Sequence, residues 1–169
     1  MNALLVVDLQ NDFCPGGGLA VPDGDQIVPT VNKLMEQFDR VVFTQDWHPE
    51  GHQSFASSHT GKDPFDTISM DYGEQTLWPD HCIQGSDGAR FHPDLHHHRA
   101  NVIIRKGFRQ RIDSYSAFYE NDRQTKTGLK GYLSERGITH LFVCGLATDF
   151  CVKWTVLDGC QEGFGITLI

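Results

Sequence analysis

Ala3-Leu4-Leu5-Val6-Val7 is an unbroken apolar run that stops at Asp8. A strand with one face in water alternates apolar and polar residues. This run does not alternate, so both of its faces must be covered, as in parallel sheets packed between helices. Val41-Val42-Phe43-Thr44 and Asn101-Val102-Ile103-Ile104-Arg105-Lys106 read as second and third strands. His140 to Cys144, with Leu141, Phe142 and Val143, reads as a fourth, and Gly165-Ile166-Thr167-Leu168-Ile169 begins a fifth. Helical spacing fills the gaps. From Asp25 to Phe38, Ile27, Val31, Leu34, Met35 and Phe38 share one face, with Pro29 near the end of the first turn. A shorter helix near Thr127 to Glu135 turns Leu129, Tyr132 and Leu133 inward and stops at Gly137. The alternation of strand and helix predicts an α/β domain with a parallel sheet.

With 169 residues, one domain spanning 1–169 is expected. Its 39% hydrophobic and 21% charged residues suit a soluble globular protein. A formal charge of −8 argues against nucleic acid or an anionic membrane as partner. No apolar run reaches membrane-span length, and no export signal precedes the first strand, so a cytoplasmic location is expected. Five cysteines without framework spacing then read as reduced thiols. Residues 47–100 are polar, rich in His, Gly, Pro and Asp, and lack a long periodic segment, which marks a functional excursion or lid. Within it, His96-His97-His98 reads as a solvated turn. An apolar strand is an odd place for a natural end, so truncation at Ile169 is one reading. The oligomeric state is left open, a homo-oligomer included.

In a parallel sheet the ligand lies outside the carboxyl ends of the strands. That rule gathers Asp8 after strand one, Asp46 and His48 after strand two, Lys106 after strand three and Cys151 after strand four. Between strand four and Cys151, Gly145 breaks the run, and Thr148 and Asp149 are residue types that cap helices. Cys151 then falls in the first turn, where free amides and the helix dipole stabilise a thiolate. From this segment alone, a nucleophile and a small buried residue are equal readings. Asp8 and Lys106 shift the balance. An ammonium stabilises a thiolate, and a carboxylate can take the thiol proton and return it to a leaving amine. The amides of Ala147 and Cys151 lie in the kind of turn that can receive an oxyanion. Cys14 and Cys82 are further thiols, but neither opens a helix after a strand, and Cys144 and Cys160 read as core.

Asp46 and His48, two apart on an extended segment, point to one side and can bind one ion together. His52 follows four residues on, and His81 lies in Trp78-Pro79-Asp80-His81-Cys82. Mixed nitrogen and oxygen donors suit Zn²⁺, Fe²⁺ or Mn²⁺. His52 is left open as a ligand, and His59 is expected to be exposed.

Val6-Val7-Asp8-Leu9-Gln10-Asn11-Asp12-Phe13, Asp46-Trp47-His48-Pro49, Trp78-Pro79-Asp80-His81-Cys82, Arg105-Lys106-Gly107 and Gly145-Leu146-Ala147-Thr148-Asp149-Phe150-Cys151-Val152 closely resemble the motifs of nicotinamidases, which are isochorismatase-like cysteine hydrolases. The resemblance runs in order over nearly the whole chain. It implies a three-layer α/β/α, Rossmann-like fold with a central, mostly parallel sheet. It implies hydrolysis of nicotinamide to nicotinate and ammonia in NAD salvage, and of pyrazinamide. By that resemblance Cys151 is the nucleophile, Asp8 the general acid/base and Lys106 the thiolate's electrostatic partner. Asp46, His48 and His81 carry over as ligands of one divalent metal, Zn²⁺ with Fe or Mn as alternatives, which holds the pyridine nitrogen. A cis peptide is implied at Leu146–Ala147, aiming the Ala147 amide at the oxyanion. Phe13, Trp78 and Tyr115 look like the aromatic walls of the ring pocket. Family members usually continue past the position where this chain ends.

Three other readings compete. One is a hydrolase of the same kind acting on another small amide or a ureido compound. Another is a catalytically silent binding protein. The last is a hydrolase whose metal-bound water attacks directly and which would survive loss of Cys151.

Overall fold

The computed structural model describes all 169 residues. Strand β1 (Asn2–Val7) is the centre of a five-stranded parallel sheet. It is flanked by β2 (Val41–Asp46) and β6 (His140–Gly145), with β5 (Val102–Lys106) and β7 (Gly165–Leu168) at the edges, in the order β5-β2-β1-β6-β7. The two-sided burial expected of β1 is present, and its side chains divide by parity. Leu4 and Val6 join one apolar cluster, with Phe43 and with Val28, Val31 and Met35 of helix α1 (Val28–Met35). Ala3, Leu5 and Val7 join the other, with Leu129 and Leu133 of α2 (Leu129–Glu135) and with Val152, which leads into α3 (Lys153–Gln161). Helices therefore cover both faces, and the architecture is a three-layer α/β/α sandwich.

Strand β5 behaves differently from β1 because it is an edge. Its burial alternates, and Ile103 is exposed while Lys106 is fully buried. The helices are shorter than their periodicity suggests. Gly24–Ile27 forms a 3₁₀ turn before α1, and Pro29 sits in the first turn, where its missing N–H costs little. Residues 47–100 do contain regular structure: a small antiparallel hairpin of β3 (Thr67–Met70) and β4 (Gly73–Thr76). Its strands are too short and too exposed to leave a periodic signal.

The chain lays down β1, β2 and β5 in one direction and then returns to add β6 and β7 on the other side of β1. The β1–β6 boundary is thus a topological switch point, where the loops above the sheet diverge and leave a crevice. Val7 is in register with Gly145, and Asp46 with Lys106, so the strand ends carrying the predicted residues meet at one edge.

Candidate active site

Gly145 ends β6 with φ +124°, and a Cβ there would lie 2.1 Å from the Val7 carbonyl oxygen, so only glycine fits. The Leu146 amide donates to that same carbonyl at 3.0 Å. The Leu146–Ala147 peptide is cis. Leu146 turns its side chain into the core beside β1, whereas Ala147 lines the cavity and its amide donates no hydrogen bond within the protein. The expected α-helical first turn, capped by Thr148 or Asp149, is not what forms. Ala147 holds the cap position, neither side chain caps, and Thr148–Val152 wind as one π turn. The Ala147 carbonyl accepts from the Val152 amide five residues on, at 3.1 Å, which widens the turn before α3 begins. Cys151 sits in that turn, buried, with its thiol toward the cavity.

Lys106 is the hub. Its Nζ lies 2.8 Å from Asp8 Oδ2 and donates to Asp46 Oδ1 at 3.1 Å, to the Ser114 carbonyl at 2.9 Å and to Cys151 Sγ at 3.4 Å. Burial works against its charge, but Asp46, Asp8 and Cys151 hold its pKa well above the ordinary lysine value. Asp8 is fully buried at φ 44°. Its Oδ1 accepts from the Thr44 hydroxyl at 2.6 Å, while Oδ2 accepts no hydrogen bond despite its closeness to the ammonium. Burial raises the Asp8 pKa, against Lys106 and with help from Asp46. Burial also pushes the Cys151 thiol up, opposed by Lys106 and reinforced by Asp8 and Asp46. Burial thus opposes the thiolate that the sequence argument favours, and the Lys106 ammonium acts in the other direction.

Asp46, His48 and His81 place one donor atom each within 4.8 Å of one another, all buried. His48 Nε2 is 3.0 Å and His81 Nε2 3.4 Å from Asp46 Oδ2. His48 Nδ1 lies 2.8 Å from the Gly107 carbonyl and His81 Nδ1 2.8 Å from that of Pro79. With Nδ1 of each ring held by a carbonyl, both rings turn Nε2 toward Asp46. Three converging acceptors with their outer nitrogens already fixed are a donor set that fits a divalent cation. Burial alone would raise the Asp46 carboxyl, but His48 and Lys106 hold it well below the usual range. His48 is raised by Asp46 against burial. His52 does not join the ligand set. Its Nε2 donates to the Arg109 carbonyl at 2.8 Å, its Nδ1 pairs with Ser54 Oγ at 2.7 Å, and its ring packs on His48. His59 is half-buried rather than fully exposed, with Nε2 on the Gln53 carbonyl.

A cavity of about 420 Å³ opens beside the thiol. Phe13, Trp78 and Tyr115 line it, as do His81 and Asp46 from the donor cluster. Sequence reasoning missed Phe150, whose ring stands edge-on to Trp78 at 4.8 Å and to Tyr115 at 5.5 Å. It also missed Phe65, Asp113 and the Leu19–Pro22 segment, which line the cavity from loops with no periodicity to place them. Of the other cysteines, Cys14, Cys82 and Cys144 are buried, but Cys160 is exposed on α3 and is not core. That position faces outward because α3 packs through Thr155, Asp158 and Gly159.

A model of the isochorismatase domain matches residues 2–169. The chain belongs to the isochorismatase family. Among relatives of this isochorismatase-family chain is the nicotinamidase of Acinetobacter baylyi, 58% identical over 99% of this chain and 78% of that protein. The solved nicotinamidase/pyrazinamidase of Acinetobacter baumanii superposes with a TM-score of 0.98 at 60% identity, covering 99% of this chain and 81% of its own. The pyrazinamidase of Pyrococcus horikoshii, solved in complex with zinc, matches with a TM-score of 0.78 at 37% identity, covering 99% of this chain and 82% of its own.

Proposed function

We infer that this chain hydrolyses nicotinamide to nicotinate and ammonia, and pyrazinamide likewise, as a step of NAD salvage. The identity to nicotinamidases over nearly the whole chain supports the substrate. The observation that carries the chemistry is the position of Lys106, whose ammonium touches the Cys151 sulfur, Asp8 and Asp46 at once.

In this reading the Cys151 thiol gives its proton to Asp8 as the sulfur attacks the amide carbon. The carbonyl π electrons move onto oxygen, where the Ala147 amide is a free donor. Asp8 then passes the proton to the amide nitrogen. The C–N bond breaks, ammonia leaves and a thioester remains. Water enters, Asp8 takes one of its protons, and the hydroxide adds to the thioester carbon. The tetrahedral oxyanion collapses, the C–S bond breaks, the sulfur recovers its proton from Asp8, and the product leaves as nicotinic acid, which ionises to nicotinate in water. Lys106 keeps the sulfur's developing charge paired throughout. Proton transfer by a placed carboxylate accounts for roughly 10²–10⁴-fold of such a rate.

Asp46, His48 and His81 would hold one divalent cation, assigned as Zn²⁺, which supplies a Lewis-acid anchor for the pyridine nitrogen. Phe13, Trp78, Tyr115 and Phe150 supply the walls that clasp the ring. Five free cysteines suit a reducing cytoplasm. Ammonia release from nicotinamide tests the whole reading. Cys151→Ala is expected to lose at least about a thousandfold in kcat while keeping its metal content. Substantial turnover by that variant would leave attack by water as the surviving mechanism.

A further inference from the structure

The β3–β4 hairpin is a two-stranded ribbon whose side chains face mostly outward. A ribbon of this kind is marginal by itself, so something must hold it to the domain. Its one buried side chain is a polar one, Gln75, fully shielded from water. A buried amide is costly unless its atoms are paired, and Gln75 is fully paired. Its Nε2 lies 2.9 Å from Asp113 Oδ2, 3.0 Å from the Tyr115 hydroxyl and 2.7 Å from the Thr76 carbonyl. Its Oε1 accepts from the Tyr72 hydroxyl at 3.0 Å and from Asn121 Nδ2 at 3.3 Å. Asn121 Oδ1 in turn accepts from the Tyr115 amide at 3.0 Å.

Two of the residues joined through this amide belong to the cavity. Asp113 and Tyr115 line it directly. So do Phe65 and Trp78, which flank the hairpin on either side, with the Phe65 amide bonded to the Leu77 carbonyl across its base. Trp78 meets Tyr115 edge-on at 6.1 Å and Phe150 at 4.8 Å. We propose that Gln75 is a positioning residue for substrate binding: it ties the hairpin to Asp113 and Tyr115 and so fixes the aromatic corner against which the substrate ring packs. This rests on the reading of the cavity as the nicotinamide site. Gln75 touches neither the sulfur nor Asp8 nor Lys106, so its loss acts on binding and leaves the chemical step alone.

The test uses the metal-loaded Gln75→Leu variant, which keeps the volume and removes every hydrogen bond. The KM for nicotinamide is expected to rise about tenfold with kcat unchanged within about twofold. Nicotinate affinity by calorimetry should fall by the same factor, and iodoacetamide labelling of Cys151 and metal content should match wild type. A merely structural role would instead lower kcat, labelling and metal content together. Should Gln75→Leu fail to fold, Tyr72→Phe removes one partner of the amide at a residue outside the cavity and leaves the hairpin anchored; about a threefold rise in KM is then expected. Unchanged KM and nicotinate affinity in a folded variant, or a fall in kcat alone, overturns the proposal. A wild type that binds nicotinate without hydrolysing nicotinamide counts against the activity only, and the calorimetric arm still decides the role of Gln75. A wild type that binds no nicotinate overturns both.

Discussion

Two buried carboxylates in this molecule have different answers to desolvation. Asp46 is surrounded by His48, His81 and Lys106 and stays ionised. Glu120 has one partner, Arg109, and its second oxygen has no hydrogen bond. Burial therefore pushes the Glu120 carboxyl up to about 7, with Arg109 pulling the other way. The consequence for stability has a definite sign. In the unfolded chain this carboxyl loses its proton near its ordinary value of 4.5, whereas the folded chain keeps it until about 7. Between those values the native state binds more protons, so stability falls as pH rises through the window and levels off above it. Glu120→Gln removes this loss, which is of the order of 2–3 kcal/mol. Urea unfolding at pH 5 and pH 8 should show a smaller drop in the variant than in wild type. Equal drops in both proteins would mean that Glu120 ionises normally in the fold.

At the scale of elements, the strand–turn–π-helix passage from β6 to α3 depends on one residue without a side chain. Gly145→Ala puts a methyl group 2.1 Å from the Val7 carbonyl oxygen, at a backbone angle that L-residues avoid. Strain of this kind costs about 1–3 kcal/mol, and the forced parting of β1 and β6 adds to it. The urea midpoint should fall by an amount corresponding to about 3 kcal/mol or more, with the Cys151 turn displaced as well. A variant as stable as wild type would show that β6 can shift along β1 without penalty. Elements of this kind were legible in the sequence to different degrees. The inner strand β1 was readable because residues shielded on both faces are apolar, as Ala3 to Val7 are, whereas the edge strands β5 and β7 were readable from short apolar runs although only part of each is buried. The strand-end residues Asp8, Asp46, Lys106 and Cys151 could be gathered because parallel topology alone brings them to one edge. The β3–β4 hairpin was not readable, since a single buried glutamine anchors it and no apolar repeat marks its strands. The π turn was hidden too, because i+4 and i+5 bonding leave the same residue pattern. Phe150 and Asp113 escaped for a related reason: loop conformation, not period, decides where they point.

Considered as a whole, the molecule gathers strong charge into a small dry volume at the switch point. Asp8, Asp46 and Lys106 are all essentially shielded from water, and His48 and His81 stand against Asp46. Two carboxylates share one ammonium there, an arrangement that opposes folding unless further positive charge arrives. A divalent cation between Asp46, His48 and His81 would supply it. The unfolded chain cannot assemble this donor set, because its ligands come from the end of β2 and from a loop more than thirty residues later. Binding is therefore linked to folding. At a free metal concentration a hundred times the dissociation constant, the linkage is worth about 2.7 kcal/mol. For a chain of this length, 1 kcal/mol moves the melting temperature by roughly 2–4 °C. Chelation followed by dialysis should lower the melting temperature by about 5–10 °C and stop nicotinamide hydrolysis, and added Zn²⁺ should restore both. His81→Ala should be less responsive to the metal at either readout, since it removes one of three ligands without touching the sulfur, Asp8 or Lys106. Should the chelated protein melt at the same temperature with and without Zn²⁺ while wild-type activity persists, the acceptor cluster would be a histidine–carboxylate hydrogen-bond network in its own right, and the substrate ring would need another anchor.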